Sequence, residues 1–315
     1  MTSHDPAQRN RVVRFSAFGG PEVLHLDEDP IAEPGPGEVR LRMAYAGLNP
    51  VDYKIRRGGP QYATVLPSGL GRELSGVVDS AGPEVEHLAA GDRVFGTIPS
   101  GALADLVVAS ADYFAFVPDE LPMDVAGGLA LTGQTAWDVV ASQGLRAGDT
   151  IVVTAAAGGV GSILSQLAVH AGVRVIGSAS PGNHAWLRSR GIEPVEYGPG
   201  FVDAVRALLP PGTAPTAGFD LRGAESLAQL LELGIPPERI NTNAMGTAAM
   251  GTATLPPGVR RVGRGPTDLP TLATLAALVV DGAVELPIAA RYPLERVAEA
   301  YTFLEAGHLR GKVVV

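Results

Sequence analysis

Ala156, Gly158 and Gly161 stand at the spacing of a G-x-G-x-x-G turn, with alanine in the first slot. The apolar, β-branched run Ile151-Val152-Val153 precedes them and reads as a buried strand. Behind them Ile163, Leu164, Leu167, Ala168 and Ala171 recur at helical spacing, and Gly172 sits where such a helix stops. Strand, glycine turn and helix together form the context in which this spacing binds a dinucleotide. The small residues let the backbone approach a pyrophosphate, and the helix N-terminus offers it unpaired N–H groups and partial positive charge. Ala156, Gly158, Gly159, Val160 and Gly161 are therefore candidate cofactor contacts.

The following strand bears on which dinucleotide. An acid that grips a ribose 2′-OH is expected about 20 residues past the glycines. Val173 to Gly177 is instead followed by Ser178, Ala179 and Ser180, and no acid occurs before Glu193. Serine hydroxyls can donate to a 2′-phosphate that a carboxylate would repel. His184, at the start of the next helix, either adds charge there or is a solvated first-turn residue. The expected cofactor is NADPH.

Composition narrows the alternatives. The chain has 315 residues, 46% hydrophobic and 18% charged, with net charge −9 and no long charge block. That balance speaks against nucleic acid or an anionic membrane as partner, and the length accommodates two domains. Cysteine is absent, so neither disulfides nor cysteine-ligated zinc can form, and the six histidines are scattered. No metal site is expected. Met1 to Asn10 is polar and unlike a signal peptide, no apolar run is long enough for a bilayer, and the expected compartment is the cytoplasm.

The elements fall into two patterns. Short strands are expected at Arg11–Phe18, Val23–Leu26, Glu38–Tyr45, Leu74–Asp79, Asp92–Gly96 and Ala104–Val108, with a short helix from Pro50 and an irregular loop at Leu66–Gly71. Many strands and few helices imply a barrel-like β domain. Helices are expected at Asp124–Ala130 and Thr132–Ser142. Strands at 150–154, 173–178, 194–197, 217–221 and 239–243 then alternate with helices at 159–171, 183–190, 201–209 and 224–233. This implies an α/β fold, a doubly wound parallel sheet. A loop at Ala244–Gly258, helices at Thr271–Val280 and Ala298–Leu304, and a terminal strand Gly311–Val315 complete the chain.

Several segments, in order, resemble the medium-chain dehydrogenase/reductase superfamily, and within it the zinc-free quinone oxidoreductases. They are Gly19–Leu24, Pro34–Val39, Gly47–Asp52, Leu66–Gly71, Gly91–Val94, Ala156–Gly161 and Gly307–Lys312. The resemblance implies a GroES-like domain over 1–125, completed by 276–315, and a Rossmann domain over 126–275, with the active site between them. Gly71-Arg72-Glu73 stands where the zinc-dependent branch has Gly-His-Glu. The implied reaction is zinc-free hydride transfer from NADPH to a quinone or α,β-unsaturated carbonyl. An enoyl-thioester reductase and a non-catalytic NADPH-binding sensor or structural protein are the alternatives.

The same resemblance implies site residues. Asn49 matches an asparagine near the nicotinamide, beside its reading as a helix N-cap. Tyr62 matches a substrate-facing tyrosine, whose phenol can donate to a carbonyl or enolate oxygen. Thr132 matches a carboxamide contact or caps a helix, and Tyr197 matches an adenine-side contact. Leu221 and Asn243 end strands where ligands of open sheets bind. Lys312 reaches the 2′-phosphate side or caps the fold's edge, the second being preferred; Arg222 replaces a small or apolar residue, and either bonds a substrate carboxylate or the pyrophosphate or points to solvent. Ala102–Leu106 lacks the tyrosines usual in that segment. A homodimer is expected, joined near Val259–Gly263.

Overall fold

The computed structural model describes residues 9–59, 61–244, 255–263 and 265–315. The β-rich half holds β1 (Arg9–Phe15), β2 (Leu24–Pro30), β3 (Glu38–Ala46), helix α1 (Pro50–Arg56), β4 (Ser68–Gly69), β5 (Glu73–Ala81), β6 (Arg93–Thr97), β7 (Leu106–Ser110) and β8 (Phe114–Phe116). β3 lies between β7 and β5, and the antiparallel order runs β7-β3-β5-β6-β8; β1 pairs with β2 and β4 in a second sheet. Phe15, Leu41, Leu48, Leu74, Val94 and Leu103, all fully buried, fill the space between the sheets.

The second half begins with α2 (Met123–Ala141). This is one uninterrupted helix, not the two expected. Thr132 lies inside it and its hydroxyl donates to the Gly128 carbonyl, so the N-cap reading of Thr132 is corrected. A glycine pair and a run of small residues hid the continuity.

Beyond α2 come β9 (Thr150–Val153), α3 (Gly159–His170), β10 (Arg174–Ser178), α4 (His184–Ser189), β11 (Ile192–Val195), α5 (Phe201–Ala207), β12 (Ala217–Asp220), α6 (Ala224–Glu232) and β13 (Ile240–Thr242). All strand pairings in this sheet are parallel, in the order β11-β10-β9-β12-β13. The order reverses direction between β9 and β12, which opens a crevice at the C-terminal ends of those strands. The expected α/β architecture is thus present.

The chain closes with α7 (Leu269–Val280), β14 (Ile288–Arg291), α8 (Val297–Ala306) and β15 (Lys312–Val314). β14 and β8 are short strands that the sequence pattern did not reveal. β15 pairs with β14 and also returns to the first half. Leu48 N–H donates to Val313 O at 3.0 Å, and Ala46 and Val315 exchange backbone bonds at 2.7 and 2.9 Å. Val259 to Gly263, expected at a dimer junction, includes Arg260, whose backbone bonds both Ile240 and Thr242 along β13. Part of that sheet edge is therefore paired within the chain. Most of the loop expected at 244–258 lies outside the described residues. Among the described residues, no helix is long and apolar enough to cross a membrane.

Gly311 makes the return possible. Its φ is +73°, and its N–H donates to Ala157 O at 2.8 Å, tying β15 to the glycine turn. A Cβ there would overlap the Pro287 carbonyl oxygen. Gly311→Ala should therefore destabilise the protein by about 2 kcal/mol or more, from strain and overlap together. Thermal unfolding beside a surface Gly→Ala control such as Gly182 checks this; equal melting temperatures would refute it.

Candidate active site

The site is built where the two halves meet. A cleft of about 600 Å³ is lined from one side by α1 and the following loop, and from the other by the strand ends of the parallel sheet. That size is in the range that takes a cofactor and a small substrate. Each of the five parallel strands delivers lining residues just past its C-terminus. Gly158 to Gly161 follow β9, Ser180 follows β10, Tyr197 follows β11, Leu221 and Arg222 follow β12, and Asn243 follows β13.

The turn after β9 explains its composition. Ala155 has φ +52°, the left-handed region, and α3 starts at Gly159 with Gly158 as its N-cap. A Cβ on Gly161 would overlap the Ala155 carbonyl oxygen. Glycine is needed there so that helix and strand pack closely, leaving the helix N-terminus facing the cleft.

Not every expected contact reaches the cleft. Ala156 is fully buried beneath the turn, and its N–H donates to Ser178 O; only its neighbours Ala155 and Ala157 line the space. Ser178 is 1% exposed and its hydroxyl accepts from Ala155 N–H at 3.2 Å, so it braces the turn and does not face a ligand. His184 Nε2 lies 3.1 Å from the Ala179 carbonyl and the residue does not line the cleft. These three assignments are corrected. Gly158, Gly159, Val160, Gly161, Ser180, Tyr197, Leu221, Asn243, Thr132, Asn49 and Tyr62 are all brought together in the lining.

Asn243 is notable among them. Both polar atoms of its side-chain amide are out of contact with solvent and have no protein hydrogen bond. Buried amides without partners are costly, so a ligand group that bonds them would be favoured. At the other end, Arg222 stacks 4.0 Å over the Tyr197 ring, and Tyr197 Oη bonds His308 Nδ1 at 2.8 Å. Arg222 and His308 were respectively left open and unnoticed in the sequence.

Beneath Asn49 lies a buried ionic cluster that sequence reasoning also missed. Lys312 Nζ donates to Glu73 Oε1 (2.6 Å), Asn49 Oδ1 (2.6 Å) and Leu48 O (2.8 Å). Neither charged side chain is more than 3% exposed. Glu73 also accepts from Asn49 Nδ2 and from Leu131 N–H, each at 2.8 Å. Lys312 thus neither reaches a 2′-phosphate nor caps an edge; it is a core cation. Asn49 is the N-cap residue of α1 and its N–H donates to Asp52 Oδ2 at 2.8 Å, while its side chain is oriented by Lys312 and Glu73. Burial pushes the Asp52 carboxyl up to about 7, with Tyr301 buried beside it. The signal was present as Glu73 and Lys312 in apolar strands, but nothing in one dimension pairs them.

Arg72, at the position of a zinc-ligating histidine, turns away and donates to Pro99 O at 2.8 Å. Among the described residues, no group of three or more His, Cys, Asp or Glu side chains is placed to hold a metal.

Comparison with known proteins gives the family. Residues 35–119 match the alcohol dehydrogenase GroES-like domain, and 191–315 match the zinc-binding dehydrogenase domain. A chloroplastic NADPH-dependent alkenal/one oxidoreductase of Arabidopsis thaliana is 30% identical over 96% of this chain and 78% of its own length. The chain belongs to the medium-chain dehydrogenase/reductase superfamily, in its quinone oxidoreductase-like branch. A quinone oxidoreductase of Pseudomonas aeruginosa is 41% identical over 189 residues, 59% of this chain but only 58% of that protein. The chain thus spans little more than half the length of that curated relative. The solved Escherichia coli quinone oxidoreductase complexed with NADPH superimposes with a TM-score of 0.87, at 25% identity, over 96% of this chain and 99% of that one.

The Glu73–Lys312 pair gives the site a measurable energetic signature. Removing one partner of a buried pair leaves an uncompensated charge, at about 3–5 kcal/mol. Glu73→Gln and Lys312→Met should each cost that much, and the double variant clearly less than their sum. Denaturant unfolding of the four proteins checks this; simple additivity would show that the two groups do not interact.

Proposed function

We propose that the cleft binds NADPH and serves zinc-free reduction of a quinone or α,β-unsaturated carbonyl. The observation that carries this reading is the convergence of Asn49 and Tyr62, from one half, on the same cleft as the glycine turn and Asn243 from the other. The cofactor fits the residues present. The α3 N-terminus at Gly158–Gly161 suits its pyrophosphate, the unpartnered Asn243 amide suits a carboxamide, and Ser180 with Arg222 suits a phosphate. Bound NADPH supplies a hydride to the β-carbon of a conjugated acceptor.

The chain's own residues manage position and charge. Thr132 and Leu131 form the cleft wall next to Asn49. Lys312 and Glu73 hold the Asn49 amide in one orientation through two charge-assisted bonds, and bond each other. Tyr62 donates a hydrogen bond to the acceptor's carbonyl oxygen, where negative charge grows. A zinc ion does not fit: cysteine is absent, Arg72 stands in place of a histidine, and the Lys312 ammonium already occupies the cation position on Glu73.

Cofactor preference follows from the lining. Among the described residues its one carboxylate is Glu305, held by Arg56 and Arg57, so none of their acids repels a 2′-phosphate near Ser180 and Arg222. NADPH should bind at least roughly tenfold tighter than NADH, and Arg222→Ala should shrink that ratio. Fluorescence titration decides it; equal affinities in the wild-type protein would refute the phosphate reading.

Tyr62→Phe deletes the hydroxyl and keeps the ring. If Tyr62 is the oxygen donor, kcat with an enone falls roughly 10- to 1000-fold while NADPH affinity stays put. Unchanged turnover removes Tyr62 from the reaction, and weakened NADPH binding places it against the cofactor instead.

A further inference from the structure

Behind Asn49 the ionic cluster contains a second acid. Asp52, in the first turn of α1, is fully buried. Its Oδ2 accepts the Asn49 N–H at 2.8 Å, and its Oδ1 has no hydrogen-bond partner. The charged groups around it are spent elsewhere. Lys312, from β15, gives its three N–H bonds to Glu73, Asn49 and Leu48. Glu73, from β5, adds a like charge. Arg56, one turn further along α1, bonds Gly19 O and Glu305 of α8, and its Nη1 bonds nothing. Each buried cation of the cluster is thus bonded to another carboxylate, and among the described residues none bonds Asp52. Tyr301, also on α8, lies buried beside the carboxyl, and its Oη makes no hydrogen bond of good geometry.

An ionised carboxylate sealed from water, with one N–H and no bonded cation, is costly. A proton removes that cost. A hydroxyl at Oδ1 donating to Tyr301 Oη also gives both orphaned atoms a partner. We propose that Asp52 carries a proton in the folded protein, and that this proton keeps the Asn49 amide in the orientation it presents to the cleft.

Neutral Asp52 leaves Glu73 as the one anion drawing on Lys312, so the ammonium stays on Glu73 and Asn49 Oδ1. Ionised Asp52 adds a second anion in the same interior, draws the ammonium away and loosens its hold on Asn49. Burial pushes the carboxyl up to about 7, against the Asn49 backbone bond and the Lys312 charge, which pull it down. The change therefore falls near neutral pH. Asp52 acts through Asn49, which lines the cleft, and is a positioning residue. That link to catalysis rests on the reductase reading; the proton and its effect on the amide do not.

The test follows the Asn49 amide itself. The asparagines of the chain are Asn10, Asn49, Asn183, Asn241 and Asn243, so isotope labelling of asparagine alone gives a sparse NMR spectrum, in which Asn49→Ala assigns the signal. The wild-type Asn49 side-chain signal should shift as pH rises from about 5.5 to about 8.5, and stay still in Asp52→Asn. The amide of that variant accepts from Asn49 N–H and donates to Tyr301, as the protonated acid does. A signal still in both proteins, or moving alike in both, overturns the proposal. Urea unfolding reads the proton separately. The folded protein holds it more tightly than the unfolded chain, so its stabilisation is full below about pH 4 and is lost as pH rises to about 7. Relative to Asp52→Asn, the wild-type midpoint should fall across that window and level off above it; parallel curves overturn the proposal. Turnover of an enone completes the test. Its kcat should fall roughly fivefold or more from about pH 6 to about pH 8.5 in the wild type, and stay within about twofold in Asp52→Asn. Equal profiles in the two proteins overturn the positioning role. A titrating Asn49 signal without turnover of any acceptor keeps Asp52 and rejects the reductase reading; turnover with a still signal does the reverse.

Discussion

A lysine and a glutamate buried together at 2.6 Å hold the two halves of this protein in register. Each ion alone would be costly in an apolar interior, by several kcal/mol after relaxation. Together they are tolerated because every strong hydrogen-bonding direction is used: Lys312 reaches Glu73, Asn49 and Leu48, and Glu73 takes Asn49 and Leu131 as well. The partners come from β5, the start of α1, α2 and β15. Backbone pairing alone would let β15 slip against Ala46–Leu48, since both segments are apolar. A slip would strand a buried ammonium, so the ion pair specifies the register as well as the contact.

The same economy appears at the other wall. Asp220, fully buried at the end of β12, accepts from Arg222 N–H (3.0 Å), Gly223 N–H (2.9 Å), Ser226 Oγ (2.6 Å) and Thr242 Oγ1 (2.6 Å). One carboxylate thereby fixes the turn that presents Leu221 and Arg222, and joins it to β13, which presents Asn243. Both walls of the cleft are thus set by a buried acid whose bonds converge from several elements. The residues facing the cleft hold their positions because these acids lie behind them.

Much of this architecture was legible from the chain. Alternating strands and helices after residue 150, the glycine turn, and Asn243 at a strand end all follow from periodicity and turn chemistry. What was not legible is direction. Ser178 and Ser180 are alternate residues at the end of one strand, yet Ser178 braces Ala155 while Ser180 faces the cleft. The strand ends between them, so the period of two no longer says which side each takes. Thr132 was misread because its helix is rich in alanine and glycine, which blur the apolar stripe. Lys312 and Glu73 were invisible as a pair because they lie far apart in sequence and only the return of β15 brings them together.

Net charge and local charge point in opposite directions, and distance decides between them. The chain carries −9 overall, which would oppose an anionic cofactor or substrate if charge were smeared evenly. At physiological salt, charges beyond about 8 Å of open solvent are largely screened. Inside a cleft walled by protein, screening is weaker, and the near groups dominate. There the described residues of the lining include Lys54, Arg222, Arg261, Lys312 and Glu305. Two of those five charges cancel within the walls, Lys312 against Glu73 and Glu305 against Arg56 and Arg57. What an entering molecule meets is set by these near groups, focused by low-dielectric walls, more than by the charge of the whole protein.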